Sequence, residues 1–145
     1  MSRAFTKDDS DAPEPRLERP VSVQPNYVTP KGLSLLRDAL ARAQEAGDTR
    51  EARYLQERID SAIVVEPRPS PEGTVEFGAT VELHDEQGSK LTLQIVGEDE
   101  ADPLHGTVSW ESPIAQALMG HRAGDRVVVL RPAGPIEYTV DAVRY

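Results

Sequence analysis

The chain has no cysteine among its 145 residues. Disulfides and thiolate metal sites are therefore excluded, which fits a reducing compartment. Its three histidines, His84, His105 and His121, share no metal-ligand spacing, so no zinc site is expected. Seven aromatic residues in all leave little to line a deep aromatic pocket. The longest aliphatic run, Val127-Val-Val-Leu130, is far too short to span a bilayer, and Met1 to Lys7 lacks the apolar core of a signal peptide. A soluble, cytoplasmic protein without membrane association is expected. Positive charge is also scarce, since 16 bases face 25 acids for a formal charge of -9. Residues 67–145 carry 13 acids and 6 bases, against 7 and 6 in residues 31–66. Phosphate neutralisation supplies most nucleic-acid affinity, so independent DNA binding is not expected. A basic protein surface is the better partner.

What is present divides the chain into four parts. Residues 1–26 hold four of the twelve prolines and nine charged residues, with almost no apolar periodicity. They read as a disordered or extended arm. Residues 27–66 read as a helical hairpin, 67–73 as a linker and 74–145 as a β-rich domain. Thr29-Pro30 is a helix start, because threonine accepts from free backbone amides and proline at the first helical position sacrifices no hydrogen bond. Helix one then runs to about Ala46. Its apolar positions Leu33, Leu36, Leu40 and Ala43 are spaced three, four, three, as are Ala52, Leu55, Ile59 and Ala62 after Gly47-Asp48. Antiparallel pairing matches 33 with 62, 36 with 59, 40 with 55 and 43 with 52, which folds the chain back between Gly47 and Asp48. Helix two fades at Val64-Val65, and Pro67-Arg-Pro-Ser-Pro71 cannot continue it.

Beyond the prolines, β-rich segments run over residues 74–83, 90–97, 106–110, 126–131 and 136–144. Asp85 to Ser89 and Pro132 to Pro135 are hairpin turns, and Pro113 to Met119 is a short helix. Alternation at Val75, Phe77 and Ala79 and at Leu91, Leu93 and Ile95 turns one sheet face inward, with Ile114, Ala117 and Leu118 to cover it. The fold class is α+β: a short antiparallel helical hairpin, then an antiparallel sheet on one helix.

An ordered constellation lies in the second half: Ile95-Val-Gly-Glu-Asp-Glu-Ala-Asp102, then Ser112-Pro-Ile-Ala-Gln-Ala-Leu-Met-Gly120, then Gly124-Asp125. With Phe77-Gly-Ala-Thr80 and the final Val143-Arg-Tyr145, it resembles the C-terminal domain of the Gre transcript cleavage factors. The likeness resumes upstream in Val28-Thr-Pro-Lys-Gly-Leu33 and Gly47-Asp-Thr-Arg-Glu51, so it takes in most of residues 27–145. The resemblance implies an FKBP-like C-terminal domain and a factor that binds bacterial RNA polymerase at its secondary channel. It also implies that the factor is not an enzyme in its own right and at most stimulates the polymerase's own RNA cleavage.

Family members present two acids at the hairpin tip, which help hold the second magnesium ion of the polymerase active centre. Asp48 and Glu51 match those positions, and oxygen ligands suit so hard a cation. The chain alone is expected to bind no cofactor, any magnesium being shared with the polymerase. Asp-x-x-Glu at a helix start is equally a capping box, so both readings of the pair stand. The resemblance also assigns the segment Glu111, Ser112, Pro113 and Ile114 to the rim helices of the polymerase's largest subunit. Ser112 and Pro113 have a local use too, as helix cap and first-turn proline. The acidic loop of Glu98, Asp99, Glu100 and Asp102 is either solvated or a further contact to basic rim residues, with Asp99 and Asp102 as candidates.

Basic residues Arg37, Arg42, Arg50, Arg53 and Arg58 alternate with acids along the hairpin and read as a solvated face. Arg50 and Arg53, beside the tip, are the candidates for RNA contact within the complex. Trp110 reads as a half-buried strand residue rather than an interface anchor. Helix one, at about 17 residues, is roughly 25 Å long, and a family coiled coil is about twice that by the same rise. Reach therefore favours channel occupancy, with Gre-type cleavage through the tip acids as the alternative. A dimerising module and a prolyl isomerase are the readings from other classes. A monomer is expected.

Overall fold

The computed structural model describes residues 24–145. The expected arm over residues 1–26 therefore lies outside the described residues except for its last three, and one of these, Asn26, is buried rather than loose.

Strand β1 (Tyr27–Val28) leads into α1 (Pro30–Glu45), which α2 (Thr49–Ser61) follows. Thr29 caps α1 by accepting from the Gly32 amide, with Pro30 in the first turn. The first helix ends in a Schellman turn: Gly47 adopts φ +71°, its amide donates to Gln44 O, and the Asp48 amide donates to Ala43 O. The eight residues matched by spacing share one apolar cluster with Val28, in which Leu36, Ala43 and Leu55 are buried. After Ser61 the chain straightens into β2 (Ile63–Val64), which pairs in parallel with β1. This corrects the expected helical run to Val64-Val65: three successive β-branched residues favour an extended backbone, and β1 offers them a ladder.

Five further strands form a curled sheet: β3 (Thr80–Asp85), β4 (Lys90–Val96), β5 (Thr107–Ser109), β6 (Arg126–Val129) and β7 (Ile136–Arg144), in the order β5-β4-β3-β7-β6. The sheet is mixed rather than antiparallel throughout, because β4 and β5 run parallel. Between them the chain makes two 3-10 turns, Glu98–Glu100 and Pro103–His105, and so returns in the same direction instead of closing a hairpin. Strand β3 begins at Thr80 and not at residue 74. A turn at Phe77-Gly78, with Gly78 at φ +89°, interrupts the alternation, and Thr74 makes only an isolated bridge to Arg122.

Helix α3 (Pro113–Leu118) covers the inner face. Ala115 and Leu118, three apart, are its buried residues; Ile114 packs at the margin and Ala117 is only half-buried, which corrects the expected covering set. Val75, Ala79, Val81, Leu83, Leu93, Ile95, Val127 and Val140 complete this second core. Leu91 lies outside it and is exposed.

Candidate functional site

The sequence-derived candidates fall in two places, the hairpin tip and the edge formed by residues 98–116. At the tip, Asp48 is the N-cap of α2 and accepts from the Glu51 amide at 3.1 Å. This fixes one carboxylate oxygen to the backbone and holds the two acids one helical turn apart. Asp48, Arg50 and Arg53 are exposed, and Glu51 is half-buried beside a groove it shares with Arg42, Leu35 and Tyr54. Among the described residues no group of three or more His, Cys, Asp or Glu side chains converges to hold a metal ion. Two tip carboxylates are oxygen donors of the right kind for magnesium, and too few to make a site unaided.

At the edge, Ser112 accepts from the Ala115 amide at 3.4 Å and donates to Ser109 O at 2.7 Å, so one hydroxyl caps α3 and ties it to β5. The Glu111 amide donates to Ser109 Oγ, and Gln116 Nε2 donates to Trp110 O. The turn is thus braced from both sides, leaving Pro113 exposed and Glu111 half-buried. The Glu111 carboxyl is held above the ordinary carboxylate range, first by burial and then by the charge of Glu98, with which it also shares a hydrogen bond; Arg58 opposes this. Two acids and an arginine therefore meet directly beside the proposed contact residues. Asp102 is exposed on the next turn, where it pairs with His105 at 2.6 Å, and Leu104 between them is 93% exposed.

Sequence reasoning missed the joint between these two places. Arg58, expected on a solvated face, is only 2% exposed. Its Nε donates to Asp99 Oδ2 at 2.6 Å, its Nη2 donates to Asn26 Oδ1 at 2.7 Å, and Glu98 lies 3.6 Å away. Asn26 Nδ2 returns a bond to Arg58 O, and Tyr54 donates to the other oxygen of Asp99 at 2.7 Å. Burial works against the guanidinium's charge, but the hydrogen bond and charge of Asp99, then Tyr54 and Glu98, outweigh it and leave the pKa raised. Glu100 accepts from the Thr29 amide, from the Thr29 hydroxyl and from the Gly97 amide. Two of the four acids expected to be solvated or to face a partner are therefore engaged inside the chain. The helical position of Arg58 was the available signal: it follows Leu55 by three residues and precedes Ile59, which places it on the apolar side of α2.

The α1 lead-in and the acidic loop approach closely at this joint. A methyl group on Gly32 would sit 2.1 Å from Glu100 Cδ, and one on Gly97 would sit 2.2 Å from Tyr27 O. Tyr27 also packs edge-on against Trp110, with ring centroids 5.1 Å apart, and lies 6.0 Å from Phe77. Trp110 is half-buried, and this ring contact joins β1 to the edge. The Thr29-Pro-Lys-Gly lead-in and the Gly97-Glu-Asp-Glu loop, whose bonded residues Thr29 and Glu100 are 71 positions apart, are two halves of one fastening.

Residues 70–145 match the family described as "Transcription elongation factor, GreA/GreB, C-term". Transcription elongation factor GreA of Alkalilimnicola ehrlichii is 43% identical over 126 aligned positions, which take in 74% of this chain and 80% of that protein. Since 74% of 145 residues falls short of 126, that relative holds residues in the aligned region for which this chain has no counterpart. Transcription elongation factor GreB of Yersinia pestis is 38% identical over 96 residues, covering 66% of this chain and 56% of that protein. Among solved structures, the GreA factor homolog 1 (Gfh1) of Thermus thermophilus aligns with 84% of this chain and 100% of its own, at 24% identity and a TM-score of 0.47. With more than half of its length matched by the family and full-scale relatives at this identity, the chain belongs to the GreA/GreB family of transcription elongation factors.

Proposed function

We propose that the protein regulates transcription elongation by docking on bacterial RNA polymerase through the edge at Glu111, Ser112, Pro113 and Ile114 and lodging its hairpin in the secondary channel, without driving RNA cleavage. The observation that carries this reading is the length of the hairpin. Helix α1 has 16 residues and α2 has 13, so the longer arm spans about 24 Å at the α-helical rise. That is about half the reach of a family coiled coil by the same measure. Such a factor occupies the channel, contributes no catalysis of its own, and excludes longer relatives from the same site.

The edge supports docking by its charge. Glu98 and Asp102 present acid to solvent, with the half-buried Glu111 beside an exposed Pro113, which complements a basic partner surface. Replacing Glu111 with Lys and Pro113 with Gly is expected to weaken binding to core polymerase at least tenfold. Unchanged affinity would remove the edge from the interface.

A second reading, stimulation of cleavage, is favoured by the placement of Asp48 and Glu51 together at the tip. There they would hold magnesium only jointly with polymerase residues, and the ion would supply water activation and charge neutralisation. Arg50 and Arg53, on the first turns of α2, would then face the RNA. The discriminating experiment is RNA cleavage in a defined backtracked elongation complex, comparing the protein with Asp48→Asn/Glu51→Gln at equal occupancy. Competition with a Gre cleavage factor and no shortening of RNA by either protein is the expected result. Cleavage by the unmodified protein that disappears in the double variant would establish tip chemistry instead.

A further inference from the structure

We infer that Arg58 is a positioning residue for the hairpin: by bridging Asn26 and Asp99 it fixes the direction in which the tip projects from the edge at Glu111. Arg58 is the largest of the fully buried side chains, and it reaches three parts of the chain at once. It belongs to α2, its Nη2 holds the residue just before β1, and its Nε holds the loop between β4 and β5. The guanidinium is suited to this because its donors diverge in a rigid plane, so two acceptors on different elements are held at a fixed mutual angle.

The neighbouring contacts make this one joint rather than an isolated pair. Glu100 grips both the amide and the hydroxyl of Thr29 at the start of α1; Gly32 leaves room for the Glu100 side chain, and Gly97 lets the loop backbone close on Tyr27 O. Each helix of the hairpin is thus fastened to the same 3-10 turn, α1 through Glu100 and α2 through Asp99. Glu98 of that turn lies between Arg58 and Glu111, so the fastening is continuous with the docking edge.

The consequence is one of leverage. With an arm of about 24 Å, a rotation of roughly 10° at the joint moves the tip by about 4 Å. That exceeds the tolerance of a carboxylate aligned with a metal or of a helix pair threaded into a channel. Arg58 touches neither polymerase nor RNA in this scheme, and acts through the direction it imposes. This functional consequence rests on the docking reading above; the joint itself does not.

The test uses the absence of cysteine, which makes labelling specific. Spin labels at Ala46→Cys, beside the tip, and Gln87→Cys, on an exposed turn of the sheet, report the direction of the hairpin as a distance distribution in the full chain without polymerase. The expected result is a single narrow distribution that broadens or shifts in Arg58→Met while helical circular dichroism is retained. Arg58→Lys is expected to fail likewise, because one ammonium cannot span Asn26 and Asp99 as the two guanidinium nitrogens do. Should Arg58→Met not fold, Asp99→Asn weakens the same fastening and is expected to give the same shift. A folded variant of either residue that keeps the narrow distribution overturns the inference, as does full restoration by lysine. With polymerase, Arg58→Met is expected to bind core enzyme at least tenfold more weakly than the unmodified protein and to lose by the same factor in competition with a Gre factor, because both read one affinity for the shared site. If even the unmodified protein binds no polymerase, the docking reading fails while the label distances still decide the joint.

Discussion

Glu111 shows how single side chains at the edge respond to solution conditions. Its folded pKa lies above the ordinary value, chiefly through burial and then through Glu98, so the native state holds a proton that the unfolded chain has released. The stability contributed is therefore present below the unfolded pKa and is lost as pH rises through the raised folded one. Denaturant melts of Glu111→Gln from mildly acidic to neutral pH should show a shallower decline in stability than the unmodified protein; an identical slope would mean that neither the burial of Glu111 nor its pairing with Glu98 has energetic weight. Arg58 illustrates what a sequence conceals at this scale. Leu55 three residues before it and Ala62 four after it are apolar, but a charged residue among alternating charges reads as solvated, and only the folded chain reveals that Asn26 and Asp99 wait for it on either side. Asp48 shows the opposite case, since its capping bond to Glu51 was legible from the four-residue pattern alone.

Among the elements, two glycines separate two kinds of strain. Gly47 ends α1 in the left-handed region, with open space where a side chain would go, so Gly47→Ala should cost about 1 kcal/mol through backbone conformation alone. Gly97 has an ordinary backbone but meets Tyr27 O, so Gly97→Ala should cost about 1–3 kcal/mol through overpacking at the joint. Urea unfolding of the two variants checks the order; a greater loss at Gly47 would mean the joint gives way more easily than its contacts suggest. The helices were legible because apolar spacing and both caps agree, and the antiparallel match of eight positions needs no tertiary information. The strand pairing was less legible. A two-residue strand such as Ile63–Val64 is specified by its partner rather than by its own pattern, and the parallel course of β5 depends on the 3-10 turns of the acidic loop. The start of β3 was misplaced because Phe77-Gly78 turns inside an alternating run.

For the whole molecule, the deciding quantity is the distance from docking edge to tip. If reach alone withholds cleavage, inserting matched fourteen-residue segments into α1 and α2, about 21 Å of added rise, should confer cleavage in backtracked complexes, and Asp48→Asn/Glu51→Gln in the lengthened protein should abolish it. A lengthened protein that binds and still leaves the RNA intact would show that something other than length is missing. Two separate apolar clusters make such a change feasible, since the hairpin's own seam and the sheet's core share no buried residue. The parallel ladder at the base carries a broader implication. Because Tyr27–Val28 and Ile63–Val64 tie both ends of the hairpin side by side, the arm leaves and re-enters the body at one point. Residues can then be gained or lost at the far end, in equal numbers on each helix, while the mount stays as it is. The arm behaves as a telescoping part, whose extension can drift over generations without asking the rest of the protein to change.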